Sequence, residues 1–146
     1  MIESLSKELV LLPLYPKYAF AILSGQKRVE IRRRPPRTRP PFTLLLYATS
    51  PVGMLVGTVE VFDLIQDSVS GLWNKYGAET SADHSTLKAY ARGLPKLAAL
   101  CLRRPCRLDP HLRLPRSWGR APQSYRYFPV HEPHLVSMLA ANDATQ

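Results

Sequence analysis

The sequence predicts an α+β fold in which short strands are interrupted by two or three short helices. Apolar residues come in brief runs bounded by Gly, Pro, Ser or Asp, which suits strands and small helices. There are 14 prolines against 7 glycines, so rigid connections are expected rather than long uninterrupted helices. The chain has 146 residues, 45% of them hydrophobic, enough for one domain to bury a core without disulfide or metal staples. Periodicity alone does not choose between a small mixed barrel and an open sheet.

Residues 1–8 read as a polar, frayed start. Leu9 to Tyr15 is an apolar run that suits a strand. Pro16 opens a helix at its first position, where a missing N–H costs nothing. Tyr18 and Ile22 lie four apart on that helix, as do Ala19 and Leu23, and Gly25 stands where a left-handed terminator belongs. Arg28 to Arg33 reads as a strand with Val29 and Ile31 on one face and Arg28, Glu30 and Arg32 on the other. Arg34 to Pro41 is a stiff, exposed basic loop. Phe42 to Ala48 suits a strand buried on both faces. After the turn at Ser50 to Gly53, Met54 to Phe62 returns as a strand, with Gly57 permitting a bulge or a close backbone approach. Asp67 or Ser68 caps a helix carrying Val69, Leu72, Trp73 and Tyr76, ended by Gly77. A second helix runs from about Ser85 to Arg92, with Leu87 and Ala91 on one face and Gly93 closing it. Leu97 to Leu102 is read as a strand and Arg103 to Pro122 as irregular. Ser124 to Phe128 makes a final strand with Tyr125 and Tyr127 on one face. His134 to Ala141 forms a short helix, and Asn142 to Gln146 a disordered end. The core is thus expected within residues 9–128, with 129–146 as a tail.

Charge points to a partner. The net charge is +9, and its distribution says more than its size. No acidic residue lies between Glu30 and Glu60, a gap holding Arg32, Arg33, Arg34, Arg37 and Arg39. None lies between Asp109 and Glu132, a gap holding Arg113, Arg116, Arg120 and Arg126. Two uncompensated basic segments suit a polyanion such as a nucleic acid, and the arginine fork suits phosphate and base stacking. A basic surface without a specific ligand would carry the same charge. No run approaches a membrane span, and Met1 to Ser4 does not open a secretory leader. Cys101 and Cys106 make no disulfide framework, so reduced thiols in the cytoplasm are expected, with Cys101 in the core. Cys101, Cys106 and His111, with His131 and His134 further on, lack the tight cysteine pairs of a zinc site. No metal or cofactor is expected.

The segment Gly25-Gln26-Lys27-Arg28-Val29-Glu30-Ile31-Arg32 resembles the signature of the ASCH domain family, G-x-K-x-x-E-x-R. The preceding helix, the pair Leu45-Leu46-Tyr47-Ala48 and Val56-Gly57-Thr58-Val59-Glu60-Val61, and the closing segment Ala121 to Tyr127 resemble the family in order. The resemblance covers roughly residues 9 to 128. It implies a PUA-like β-barrel with short flanking helices and a cleft beside the motif. It also implies binding of RNA, and in some members hydrolysis of RNA or of acetylated cytidine. The family's acetylcytidine amidohydrolases carry a threonine nucleophile three residues after the motif lysine. This chain has Glu30 there, and a carboxylate does not replace a hydroxyl that attacks an amide.

The residues make chemical sense by themselves. Gly25 turns the chain, and Lys27 follows at the turn. Glu30 and Arg32 share a strand face, and a Lys–Glu–Arg cluster can position a phosphate or a base edge. Such cleft groups are expected to add little to the stability of the core; a purely structural ion-pair network is the competing reading. For catalysis, Glu30 is the candidate base and Lys27 the candidate cation, with Tyr47 and Ser124 as weaker candidates. The candidate RNA contacts are Gly25, Lys27, Arg32, Arg33, Arg34, Arg37, Arg39, Trp118, Tyr125 and Arg126. Trp118, in a basic loop, is expected to be an exposed stacking group. Glu79 is a loosely placed second carboxylate. Three function classes follow: an RNA-interacting domain with a Lys/Glu/Arg cleft and basic rim; a hydrolase of single-stranded RNA or of a modified nucleoside; and a transcription-related protein-interaction module.

Overall fold

The computed structural model describes residues 8–129. Residues 1–7 of the polar start, the helix expected at 134–141, the tail from residue 130, and His131 and His134 lie outside the described residues. The chain forms β1 (Glu8–Leu14), α1 (Pro16–Leu23), β2 (Val29–Arg32), β3 (Phe42–Ala48), β4 (Met54–Asp67), α2 (Val69–Tyr76), α3 (His84–Ala91), β5 (Leu97–Leu112) and β6 (Arg126–Pro129). Short 3-10 turns occupy Gly77–Glu79 and Arg116–Trp118.

The strands make one sheet in the order β2-β5-β4-β3-β1-β6. β1 and β3 run parallel and every other pair is antiparallel. Burial on both faces explains why β1 and β3 are apolar almost throughout. Val10, Leu12, Phe42, Leu44 and Leu46 pack with α1 in the largest core cluster. Leu9, Leu11 and Leu45 pack on the opposite face with Leu55, Leu108, Trp118 and Phe128. A third cluster joins Val29, Ile31, Leu97 and Ala99 to Leu72, Leu87 and Ala91 of α2 and α3. Those helices therefore cover the β2 end of the sheet.

Local signals explain the short elements. Pro16 occupies the first turn of α1, and Gly25 takes φ +83° just past its end. The Ser68 hydroxyl caps α2 by accepting from the Gly71 amide, and Asp83 caps α3 by accepting from the Thr86 amide. At Gly57 a Cβ would collide with the Leu23 side chain and lie 2.7 Å from the Cys106 carbonyl. Glycine there lets α1 sit down on the sheet, the close approach that its place in a strand suggests.

One expectation needs correction. The segment from Arg103 onward is not irregular: β5 continues to Leu112, paired with β4 back to Leu55. Pro105 and Pro110 are absorbed where the register shifts, and Arg104 sits at φ +57° in one of those shifts. The ladders leave the sheet open, with none joining β2 to β6 among the described residues. Its curl nevertheless brings the two edges together through side chains. The Tyr125 hydroxyl donates to the Arg34 carbonyl at 3.0 Å, and the Arg37 amide donates to the Tyr127 hydroxyl at 3.0 Å.

Candidate functional site

The signature turn is pinned on both sides. The Lys27 amide donates to Ala21 O at 2.9 Å, and the Arg28 amide to Glu79 O at 2.9 Å. The Arg28 carbonyl accepts from the Leu102 amide at 2.9 Å. β2 then pairs Glu30 with Leu100 and Arg32 with Ala98. Val29 and Ile31 pack under α2 and α3, so strand alternation sends Glu30 and Arg32 to the other face.

There the three side chains meet. Lys27 Nζ lies 3.3 Å from Glu30 Oε1, and Arg32 lies 3.3 Å from Glu30 Oε2. Lys27 Nζ also donates to the Thr80 carbonyl. Thr80 is held by its own hydroxyl, which donates to Gly77 O at 2.9 Å and accepts from the Ala82 amide at 3.2 Å. Lys27 and Glu30 are each only 5% exposed, while the Arg32 side chain keeps 18%. The cluster carries two cations and one anion, a surplus of one positive charge. An ammonium has three donors, and two of those of Lys27 are accounted for. Burial opposes the charge on Arg32, but the Glu30 carboxylate together with Tyr90 and Tyr125 outweighs it and raises the guanidinium pKa above its ordinary value.

The cluster forms the floor of a cleft of about 550 Å³. Its walls include Tyr15, Tyr18, Thr49, Leu87, Tyr90 and Gln123. The volume falls in the range of small-molecule sites. On the far side of the signature turn a second, smaller hollow is lined by Arg28, Arg103 and Arg104 together with Lys27. Glu60 binds Arg103, which holds the Glu60 carboxyl below its ordinary value.

The remaining sequence candidates divide. Arg33, Arg34, Arg37 and Arg39 are exposed on the loop after β2, and the Arg33 amide donates to the Tyr90 hydroxyl of the cleft wall at 3.3 Å. Tyr125 is packed against the core, with Arg32 lying 5.7 Å over its ring. Ser124 is exposed beside Gln123 at the rim. Tyr47 packs with the cluster on the opposite face of the sheet and is not part of the cleft lining. Glu79 is exposed and meets the signature through its backbone.

Trp118 is not the exposed stacking group expected. It is 5% exposed and stacks on Phe128 with ring centroids 4.2 Å apart. Arg126 donates to the Trp118 carbonyl and lies over Phe128, so its guanidinium orders this loop. Cys101 is buried, as expected, and Cys106 is exposed; both are free. His111 packs near Phe20, with ring centroids 5.9 Å apart. Thr80, Tyr15, Tyr18 and Tyr90 join the site without a sequence signal that singles them out. Pro16 marks Tyr15 as the residue preceding the helix, but no local pattern joins Thr80 to a lysine 53 positions away.

Comparison with known proteins identifies the family and the fold. A model of the ASCH domain matches residues 12–98. An ASCH domain-containing ribonuclease of Zymomonas mobilis subsp. mobilis is 35% identical over 133 residues, covering 87% of this chain and 89% of that protein. The crystal structure of ASCH from Zymomonas mobilis superposes with a TM-score of 0.82 at 28% identity, covering 93% of this chain and 96% of that one. A tyrosine-to-phenylalanine variant of the Zymomonas protein superposes with the same TM-score at 28% identity, covering 93% of this chain and 98% of that one.

Proposed function

The chain belongs to the ASCH domain family, and from that premise we propose that it is a single-domain ribonuclease that binds single-stranded RNA at its basic rim and cleaves it in the Lys27–Glu30–Arg32 cleft. The observation that carries this reading is a buried carboxylate held 3.3 Å from both a lysine and an arginine on the floor of an open cleft. The relative named a ribonuclease supports the substrate class. A cytoplasmic location, with both thiols reduced, belongs to the same reading.

The chemistry needs a base, a proton donor and a cation for the phosphoryl oxygens. Glu30 takes the proton of a ribose 2′-hydroxyl, and the 2′-oxygen forms its bond to phosphorus. Arg32 holds the non-bridging oxygens as charge builds on them. The bond from phosphorus to the 5′-oxygen breaks, and Lys27 gives that oxygen a proton. The products are a 2′,3′-cyclic phosphate and a free 5′-hydroxyl. A proton then passes from Glu30 back to Lys27 across the short gap between them, which restores both groups.

Glu30 stands where the family's amidohydrolases have threonine, so weak or no deacetylation of acetylated cytidine is expected. The test uses end-labelled single-stranded RNA with chelator present. Cleavage should fall on the order of 100-fold or more in Lys27→Met, and DNA of the same sequence should survive. A contaminating nuclease would be indifferent to Lys27. RNA cutting unaltered by that substitution would remove the nuclease and leave an RNA-binding module.

A further inference from the structure

We propose that Tyr15 is a stacking platform for an unpaired base at the mouth of the cleft, so that the site selects single strands by the base as well as by the phosphate. The inference rests on the RNA reading above and names an interaction which that reading does not require.

Neither of the usual reasons for a tyrosine applies at this position. Tyr15 is the residue before α1, where Ser, Thr, Asp or Asn would cap the helix; its side chain makes no capping bond. Nor does it fill the core, since it is 69% exposed, the more exposed of two large hydrophobic residues on the described surface. An aromatic ring left in water on the wall of the cleft has a face free to stack on a base.

The ring stands on a fixed base. The Tyr15 carbonyl accepts from the Tyr18 and Ala19 amides, each at 3.0 Å. Pro16 restricts the backbone before it, and Tyr15 sits at φ −57°, ψ 144°. Its ring lies 6.3 Å from that of Tyr18, tilted by 43°. Tyr18 is already taken: Lys17 Nζ lies 4.9 Å from its ring centroid and Lys27 Nζ 5.4 Å. The rings thus lead from solvent to the ammonium on the floor, and Tyr15 is the member with its face open. A phosphate held by Lys27 and Arg32 would leave a neighbouring base within reach of that face. A base inside a duplex has no free face to offer, so the platform acts on single strands alone.

The test uses a short 2′-O-methyl RNA strand, which resists cleavage, carrying a single 2-aminopurine whose fluorescence is quenched on stacking. Wild type should bind it and quench the probe. Tyr15→Ala should weaken binding on the order of tenfold and abolish the quench, while Tyr15→Trp restores both. The thermal midpoint should stay put, because the ring is in water. Affinity for duplex RNA should be unchanged by Tyr15→Ala. Unaltered affinity and quench in Tyr15→Ala, with wild type binding normally, would overturn the platform and leave the RNA reading standing. Failure of wild type to bind the strand at all would overturn the RNA reading, and the platform with it.

Discussion

Lys27 and Glu30 differ most from the expectation of cleft groups with little weight in the fold. Both are buried, and each leaves a desolvated partner behind when removed. Lys27→Ala abandons the Thr80 carbonyl and half of the pairing of Glu30. Breaking a buried pair from one side is costly because the other charge stays. Lys27→Ala is therefore expected to destabilise by on the order of 3 kcal/mol, read as a lower urea midpoint at constant m-value. Combining Lys27→Met with Glu30→Gln removes both charges and keeps their volume, and part of the stability should return, less the pairing that Arg32 loses with the carboxylate. A cost below about 1 kcal/mol for Lys27→Ala would mean that water reaches the pair as it does at a surface. Stability alone does not separate catalysis from scaffold here, which is why the cleavage assay uses the volume-conserving Lys27→Met.

At the scale of elements, β6 and the residue before it hold the basic loop to the rest of the fold with two tyrosine hydroxyls. Tyr125→Phe and Tyr127→Phe should each cost about 1 kcal/mol and lower RNA affinity without changing any charge. The Arg37 amide should exchange faster in Tyr127→Phe. Burial raises the pKa of Tyr125, Arg32 opposing and Glu30 reinforcing the rise. Its contribution is fully present below the ordinary value of 10.0 and is lost as pH climbs through the raised folded value. Stability should thus fall above pH 10.0 more steeply in wild type than in Tyr125→Phe. Tyr76, pushed up to about 12 by burial and the adjacent Cys101 thiol, leaves a residual slope. These couplings mark the limit of what the sequence makes legible. α1, Gly25, the caps of α2 and α3, and the face shared by Glu30 and Arg32 are written in neighbouring residues. β5 runs beyond its apolar stretch although Pro105 and Pro110 resemble strand ends, and only pairing to β4 reveals them as irregularities in a ladder. Trp118 has polar sequence neighbours that suggest exposure; Phe128, which buries it, belongs to a separate strand.

Across the whole molecule, the curl of the sheet decides which charges can act together. It sets the exposed Arg33–Arg39 loop beside the cleft, tied there by Tyr90, Tyr125 and Tyr127. Arg28, Arg103 and Arg104 face the second hollow, behind the signature turn, and Glu60 already answers part of their charge. Net charge alone treats the two groups as equal, whereas geometry does not. On the proposed reading a strand entering the cleft passes the first group, and only phosphates that it neutralises release counterions. Replacing Arg33, Arg34, Arg37 and Arg39 by Ala should flatten the log–log salt dependence of single-stranded RNA binding by about 0.7 for each phosphate no longer neutralised. Replacing Arg103 and Arg104 should leave that slope nearly as it was, although the net charge falls in the same sense. Equal flattening from both sets, measured on the same oligonucleotide, would show that RNA is held by overall charge and that the cleft gives the strand no path.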